Sequence, residues 1–149
     1  GPGDWVGRLP AVAWDGDVLV VQADPDLYLR FGHSVDETDQ SSAAVLTAGA
    51  PAVVEDLLES LSDRTVLDGP GAVDRLLQTL GGRRIVHGHT PIAYVTAADP
   101  ELVVEPFEYG GGRVLNVDHC LFAGGPGFIT ELSAASEHEL GTKSSDAAP

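Results

Sequence analysis

Residues 83–92 read "RRIVHGHTPI", and the parsing of this stretch decides the architecture. Ile85 and Val86 follow a helical pattern closed by Gly81-Gly82, and the run then ends in two histidines, a glycine and a proline. A strand that ends this way delivers side chains into a loop, where function is disproportionately carried. Along an extended backbone residues i and i+2 share a face, so His87 and His89 can point the same way, and neutral imidazole is the commonest metal ligand. Gly88 lets the chain bend between them. The competing reading has one histidine satisfied inside the core and the other exposed.

On the N-terminal side the preceding segments have helical periodicity. "GPGAVDRLLQTLGG" (69–82) places Val73, Leu76, Leu77 and Leu80 on one face, and "APAVVEDLLESLSD" (50–63) does the same with Val53, Val54, Leu57, Leu58 and Leu61. These predict amphipathic helices over 70–80 and 52–61. "HSVDETDQSSAAVLTAG" (33–49) has Ser34 and Glu37 at capping-box spacing and Gly49 at its end, which predicts a helix over 34–47. Before it, "AVAWDGDVLVVQAD" (11–24) is two apolar runs joined at Asp15-Gly16, a hairpin with strands near 11–14 and 18–22. On the C-terminal side "RIVHG", "LVVEPFEY", "RVLNVDH" and "FITEL" are short β-rich runs punctuated by glycine and proline. The expected class is α/β, with α+β as the alternative: a sheet built from the hairpin and the later strands, the three helices packed on one face.

Composition narrows the functional classes. The chain has 149 residues, 43% of them apolar, which is one domain's worth. Eight basic against 23 acidic side chains give a net charge of −15, which repels nucleic-acid backbones and anionic membranes, so neither is an expected partner. The single Cys120 excludes an internal disulfide framework, and no apolar run approaches the roughly 20 residues of a membrane helix. With no secretory pattern at the start, a cytoplasmic location is expected. Gly1 to Gly3 read as the scar of a removed tag, residues 4–132 as the domain and 133–149 as a mobile or weakly docked tail.

Two further stretches carry chemistry-bearing residue types. "RVLNVDHC" ends in Asp118, His119 and Cys120 beside a glycine-rich loop, a set suited to acid–base or nucleophilic work. The plainer reading is a turn-capping aspartate and a packed cysteine. "VVQADPD" puts Gln22 and Asp24 on one face at a strand end, which is commonly just a solvated position.

The blocks "VDRLLQTLGGRRIVHGHTP" (73–91) and "EYGGGRVLNVDHCLFAGGPGFITEL" (108–132) resemble the C-terminal half of calcineurin-like metallophosphoesterases, in particular the bacterial serine/threonine phosphatase-like branch. "LPAVAWDGDVLVVQAD" (9–24) is similar to the strand pair that opens that half. The resemblance spans nearly the whole chain. It implies that the chain supplies one portion of a β-sandwich flanked by helices, that His89 is a ligand to one of two metals, and that Gln22 stands where the family has a second ligating histidine. Members of the family hold two metal ions about 3.5–4 Å apart, which activate water and clamp phosphoryl oxygens. The family's N-terminal Asp-x-His, Gly-Asp-x-x-Asp-Arg and Gly-Asn-His blocks do not occur here. The only asparagine is Asn116, and the Asp-Arg pairs at 63–64 and 74–75 lack the preceding Gly-Asp.

A single histidine cannot hold such a cation without several converging donors. The resemblance therefore implies a truncated, degenerate metallophosphoesterase-like protein that works by ligand or partner binding or by a repurposed metal-free reaction. In the latter, Asp24, His87, His89, Asp118, His119 and Cys120 are the candidate residues. The alternative is a C-terminal piece of a metal-dependent phosphatase whose other half supplies the remaining ligands. No cofactor is expected of this chain alone; Mn, Fe or Zn enters only with that other half. A homodimer or a heteromeric partner is expected to cover what the missing half would cover, and a small-molecule ligand is compatible with the loops.

Overall fold

The structure is a computed structural model that describes residues 9–23, 26–62, 64, 67 and 71–132. The expected scar at 1–3, Asp24, the start of the 70–80 helix at residue 70 and the expected tail at 133–149 lie outside the described residues. In chain order the elements are β1 (Val12–Asp15), β2 (Val18–Val21), a 3-10 turn (Asp26–Arg30), α1 (Val35–Ala48), α2 (Pro51–Leu61), α3 (Ala72–Leu80), β3 (Arg84–His87), α4 (Ile92–Thr96), a second 3-10 turn (Pro100–Leu102), β4 (Phe107–Tyr109), β5 (Val114–Asn116) and a third 3-10 turn (Leu121–Ala123). The strands form one five-stranded mixed sheet in the order β1-β2-β3-β5-β4. The class is α/β, as the alternation of patterns along the chain predicts.

The hairpin forms, but its turn lies one residue later than Asp15-Gly16 predicts: Asp15 pairs with Val18, so the two turn residues are Gly16 and Asp17, and Gly16 takes φ +63°, a conformation open to glycine without a Cβ penalty. From there β2 runs parallel to β3, with Val21 opposite His87, and β3 runs parallel to β5, with His87 opposite Asn116. All four residues of β3 are buried, as expected of a strand covered on both faces. Alternation assigns Leu19, Val21, Ile85 and Val114 to one face, where they join Ala72, Val73, Leu76, Leu77 and Leu80 of α3 in the main core. Val18, Val86 and Leu115 lie on the other face, with Val20, Val117 and Leu132 against them.

Helix α1 starts as its cap spacing predicts. Ser34 Oγ accepts the Glu37 N–H at 3.2 Å, and Glu37 reaches back to accept the His33 N–H at 2.8 Å. Helix α3 ends at Gly81, whose φ of +93° turns the chain while its N–H bonds Leu77 O at 2.8 Å. At the next residue a Cβ on Gly82 would meet the Trp14 ring at 2.6 Å, so only glycine lets the chain pass from α3 into β3 beneath that indole. Side chains of all three helices reach the main core, but unequally: five from α3, and Val35 of α1 and Leu61 of α2 at its margin.

Three expectations are corrected. The predicted apolar face of α2 is not buried as a face: Leu57 is in the core, while Val53 and Leu58 are half exposed. Leu57 and Leu61 anchor it, and the exposed Arg30–Asp56 ion pair at 3.0 Å lies at its side. "LVVEPFEY" gives a strand only at Phe107–Tyr109, because Pro106 has no N–H for a ladder and Pro100–Leu102 curls into a 3-10 turn. "FITEL" gives no strand. Gly124 and Gly127 sit at φ +96° and +78° around Pro126, and the segment then buries Phe128 and Leu132 in two separate clusters rather than pairing. Helix α4 and the Asp26–Arg30 turn, absent from the sequence reading, are short elements with too few residues to show a period.

Besides its ladder with β2, the outer strand β1 is tied to α1 by one carboxylate. Asp39 Oδ1, from α1, accepts the N–H groups of Ala11 at 2.8 Å and Val12 at 2.9 Å. Hydrogen bonds to a charged acceptor contribute about 1.5–3 kcal/mol, and removing the acceptor strands two donors. Asp39→Ala is therefore expected to lower unfolding stability by roughly that amount in urea melts. Asp39→Asn, which retains an oxygen acceptor, is expected to lose less.

Candidate functional site

Strands β2, β3 and β5 are parallel, so their C-terminal ends open on the same edge of the sheet, the edge at which open α/β sheets bind ligands. Three short segments meet there: Gln22-Ala23 after β2, Gly88 to Pro91 after β3, and Val117 to Cys120 after β5. Gly88 N–H bonds Gln22 O at 3.1 Å, Val117 N–H bonds His87 O at 2.9 Å, and Ile92 N–H bonds Asp118 O at 2.9 Å. Asn116, fully buried, donates through Nδ2 to Thr90 O at 2.7 Å and accepts the Asp118 N–H through Oδ1 at 2.9 Å. Backbone and amide together lock the histidine loop to the Asp-His-Cys loop.

The two histidines of the opening motif have different fates. His87 points into the main-core side of the sheet and is 1% exposed. Its Nδ1 lies 3.0 Å from Gly88 O; a carbonyl can only accept, so Nδ1 carries a proton. Its Nε2 is 2.8 Å from the Tyr109 hydroxyl, and the two rings meet edge to face. His87 thus spends both ring nitrogens on internal bonds, the plainer of the two readings available to it. His89 is held with φ +62°, in the left-handed region that a side chain rarely adopts, and its Nε2 is buried with no hydrogen-bond partner. An unsatisfied buried polar atom carries a penalty of about 1–3 kcal/mol, and such atoms mark missing ions, waters or catalytic roles. Ala97 and Cys120 share this left-handed conformation, but of the three only His89 also buries an unpartnered ring nitrogen.

The remaining sequence candidates are placed as follows. Asp118 Oδ1 accepts the Cys120 N–H at 2.9 Å, the turn-capping role. Cys120 is 0% exposed, has φ +59°, and packs with Ile92, Ala93 and Val103. His119 is half buried, its ring edge to face with Phe128 at 5.0 Å, and its Nδ1 is buried without a partner. Gln22 turns its side chain to solvent while its backbone does the work: its N–H bonds the Tyr28 hydroxyl at 3.1 Å and its carbonyl holds Gly88. Asp24 lies outside the described residues. Among the described residues no group of three or more His, Cys, Asp or Glu side chains is placed to hold a metal ion. None of their helices is long and apolar enough to cross a membrane.

Sequence reasoning missed Tyr109, Tyr28, Thr90 and Asn116, the residues that fix this edge. Only Asn116 left a signal, as a polar residue in the middle of the apolar run "VLNV". Comparison with protein-family models, with curated proteins and with solved structures gives no match to this chain.

The burial of Cys120 has a direct test. Iodoacetamide is expected to label the native protein slowly at neutral pH and rapidly after denaturation, because a thiol with no exposed surface reacts only through opening of the structure. Fast native labelling would show the thiol accessible and reopen a nucleophilic role.

Proposed function

We propose that this chain is a metallophosphoesterase-like C-terminal half-domain that does not carry a complete two-metal site of its own and that acts by binding a ligand or partner at its strand-end loops. The observation that supports this most is His89: it occupies the ligand position of the resemblance, its backbone is strained, and its Nε2 is buried and unpartnered. The other groups of that edge are committed elsewhere. His87 is tied to Tyr109 and Gly88, Asp118 caps a turn, and Cys120 is packed away. This favours binding over thiol or acid–base catalysis by the same residues.

The residues present do not fit a two-metal centre. One imidazole nitrogen is free for coordination at the position the resemblance assigns, and Gln22, where the second histidine would stand, faces solvent. A second reading, a C-terminal piece of a metal-dependent phosphoesterase completed by another segment, is favoured by the same unpartnered nitrogen. Both readings expect the isolated chain to be inactive, and they part only when the missing segment is supplied. With this chain alone, p-nitrophenyl phosphate hydrolysis in added Mn²⁺ is expected to stay at background, and calorimetry with Mn²⁺ is expected to show no tight binding of two ions, since nothing else lowers the pKa of a water or neutralises phosphoryl oxygens. Metal-dependent turnover lost in His89→Ala would overturn the degenerate reading.

A partner surface is part of the proposal. Leu102, Val104, Leu121, Phe122 and Ile129 are well exposed, Phe122 by 68% and Ile129 completely, and they flank the small cluster formed by Val103, Cys120 and Phe128. Exposed large side chains grouped around one cluster are typical of association surfaces. The net charge of −15 opposes self-association, but at physiological salt it is screened beyond about 8 Å. A homodimer is the expected form, so light scattering on a sizing column should give twice 15.5 kDa. A concentration-independent monomer mass would remove self-association and leave a heteromeric partner.

A further inference from the structure

The outer side of α2 carries groups that the fold does not use. Pro51, Val54, Glu55, Leu58, Glu59 and Ser62 line one open groove of about 800 Å³, with Gly49 before the helix. Their spacing is i, i+3, i+4, i+7, i+8 and i+11, a single helical face. At 1.5 Å per residue that face is roughly 16 Å long. Val54 and Leu58 form an apolar row along it, Leu58 half exposed, and Glu55 and Glu59 form an acidic row beside them. The acidic row works against the helix that carries it. Like charges at i, i+4 repel, and Glu59 stands in the last turn, where the helix dipole disfavours a carboxylate. Asp56 is compensated by Arg30, but among the described residues no cation pairs with Glu55 or Glu59, and α2 contains no Lys or Arg. Local choices that conflict with the fold are expected where a surface has a further role.

We propose that this face of α2 is a docking groove for a basic amphipathic helix of a partner protein, about three turns long, whose apolar stripe lies on Val54 and Leu58 and whose Lys or Arg side chains meet Glu55 and Glu59. Charge complementarity selects this occupant, because a cation brought from outside relieves both penalties on the acidic row. A second copy of the chain has no such helix to offer: α1 to α4 hold one basic residue between them, Arg75. Nucleic acids and anionic membranes are repelled by the net charge of −15. No residue of the groove belongs to the strand-end loops or to the apolar patch around Phe122, so the inference stands apart from the ligand role of His89.

The test uses the full chain and a fluorescein-labelled peptide of leucine and lysine, about 14 residues or four helical turns long, with its leucines at helical spacing. The same residues in scrambled order serve as the control. Fluorescence anisotropy is expected to show binding of the ordered peptide and not of the scrambled one. Leu58→Ser is expected to weaken binding at least tenfold, as is Glu55→Gln combined with Glu59→Gln, while Glu101→Gln, which removes an exposed charge elsewhere, leaves it unchanged. Glu59→Gln is also expected to raise the urea midpoint, since it relieves repulsion within α2; a carboxylate that supports the fold would lower it, and the argument from conflict would fail. The double glutamine variant decides the question even if Leu58→Ser unfolds. If both peptides bind alike, if neither binds, or if either groove variant binds like the wild type, the inference falls. It falls as well if Leu58→Ser lowers the mass measured on a sizing column, since the groove would then hold a second copy.

Discussion

Everything in this molecule hangs on the burial of Arg84–His87 as a central strand. It is the one element with a parallel neighbour on each side, and each of its four residues is buried. Parallel pairing needs a crossover, and both faces of such a strand must be covered. On one face α3 does the covering with five apolar side chains, while on the other Val18, Val86 and Leu115 form a smaller layer. The same strand carries two polar groups into the interior at its two ends. Arg84 enters at the start, paired with Glu108, and His87 leaves at the end, held by Tyr109 and by the carbonyl of Gly88. Burying them is tolerable only because each is bonded.

Both ring nitrogens of His87 are bonded inside, so the histidine of the motif left with an unpartnered nitrogen is His89, in the loop beyond it. The parallel arrangement then decides which residues can cooperate with that loop. Neighbouring ends belong to β2 and β5, so Gln22 and the Asp-His-Cys turn are brought to His89 although they are 67 and 30 residues away along the chain, as the numbering of Gln22, His89 and His119 shows. A dense set of backbone and amide bonds fixes the loops, whereas the ring nitrogens of His89 and His119 are left over. Rigid surroundings with unused donors are the preorganised form that binding sites take.

How much of this could be read from the chain depends on the length of the signal. The hairpin, the Ser34 cap and the periodic run of α3 were legible, because an Asp-Gly turn signal, a capping spacing and an apolar stripe from Val73 to Leu80 are local facts. The α2 stripe was legible as a helix but misleading as a burial pattern, since tertiary context decides which face meets the core. "FITEL" has strand composition and no strand, because pairing requires a neighbour that composition does not reveal. At the candidate site, the sequence pointed to loops that the structure brings together at one edge, and could not apportion their residues. Only packing shows that Cys120 is interior, that Asp118 caps a turn and that His87 faces Tyr109.

The carboxylate of Asp39 on the first strand has a consequence for how this sheet can grow. Its two bonds to the amides of Ala11 and Val12 occupy the donors where β1 begins, so a visiting strand finds that end of the edge already taken. The opposite margin is β4, three residues long, whose antiparallel register with β5 ends at the Gly110 to Gly112 turn. Extension of the sheet by another polypeptide therefore meets an obstacle at each margin, a carboxylate where β1 begins and a front only three residues long at β4. Short and partly occupied edges are among the means by which sheets avoid unwanted pairing.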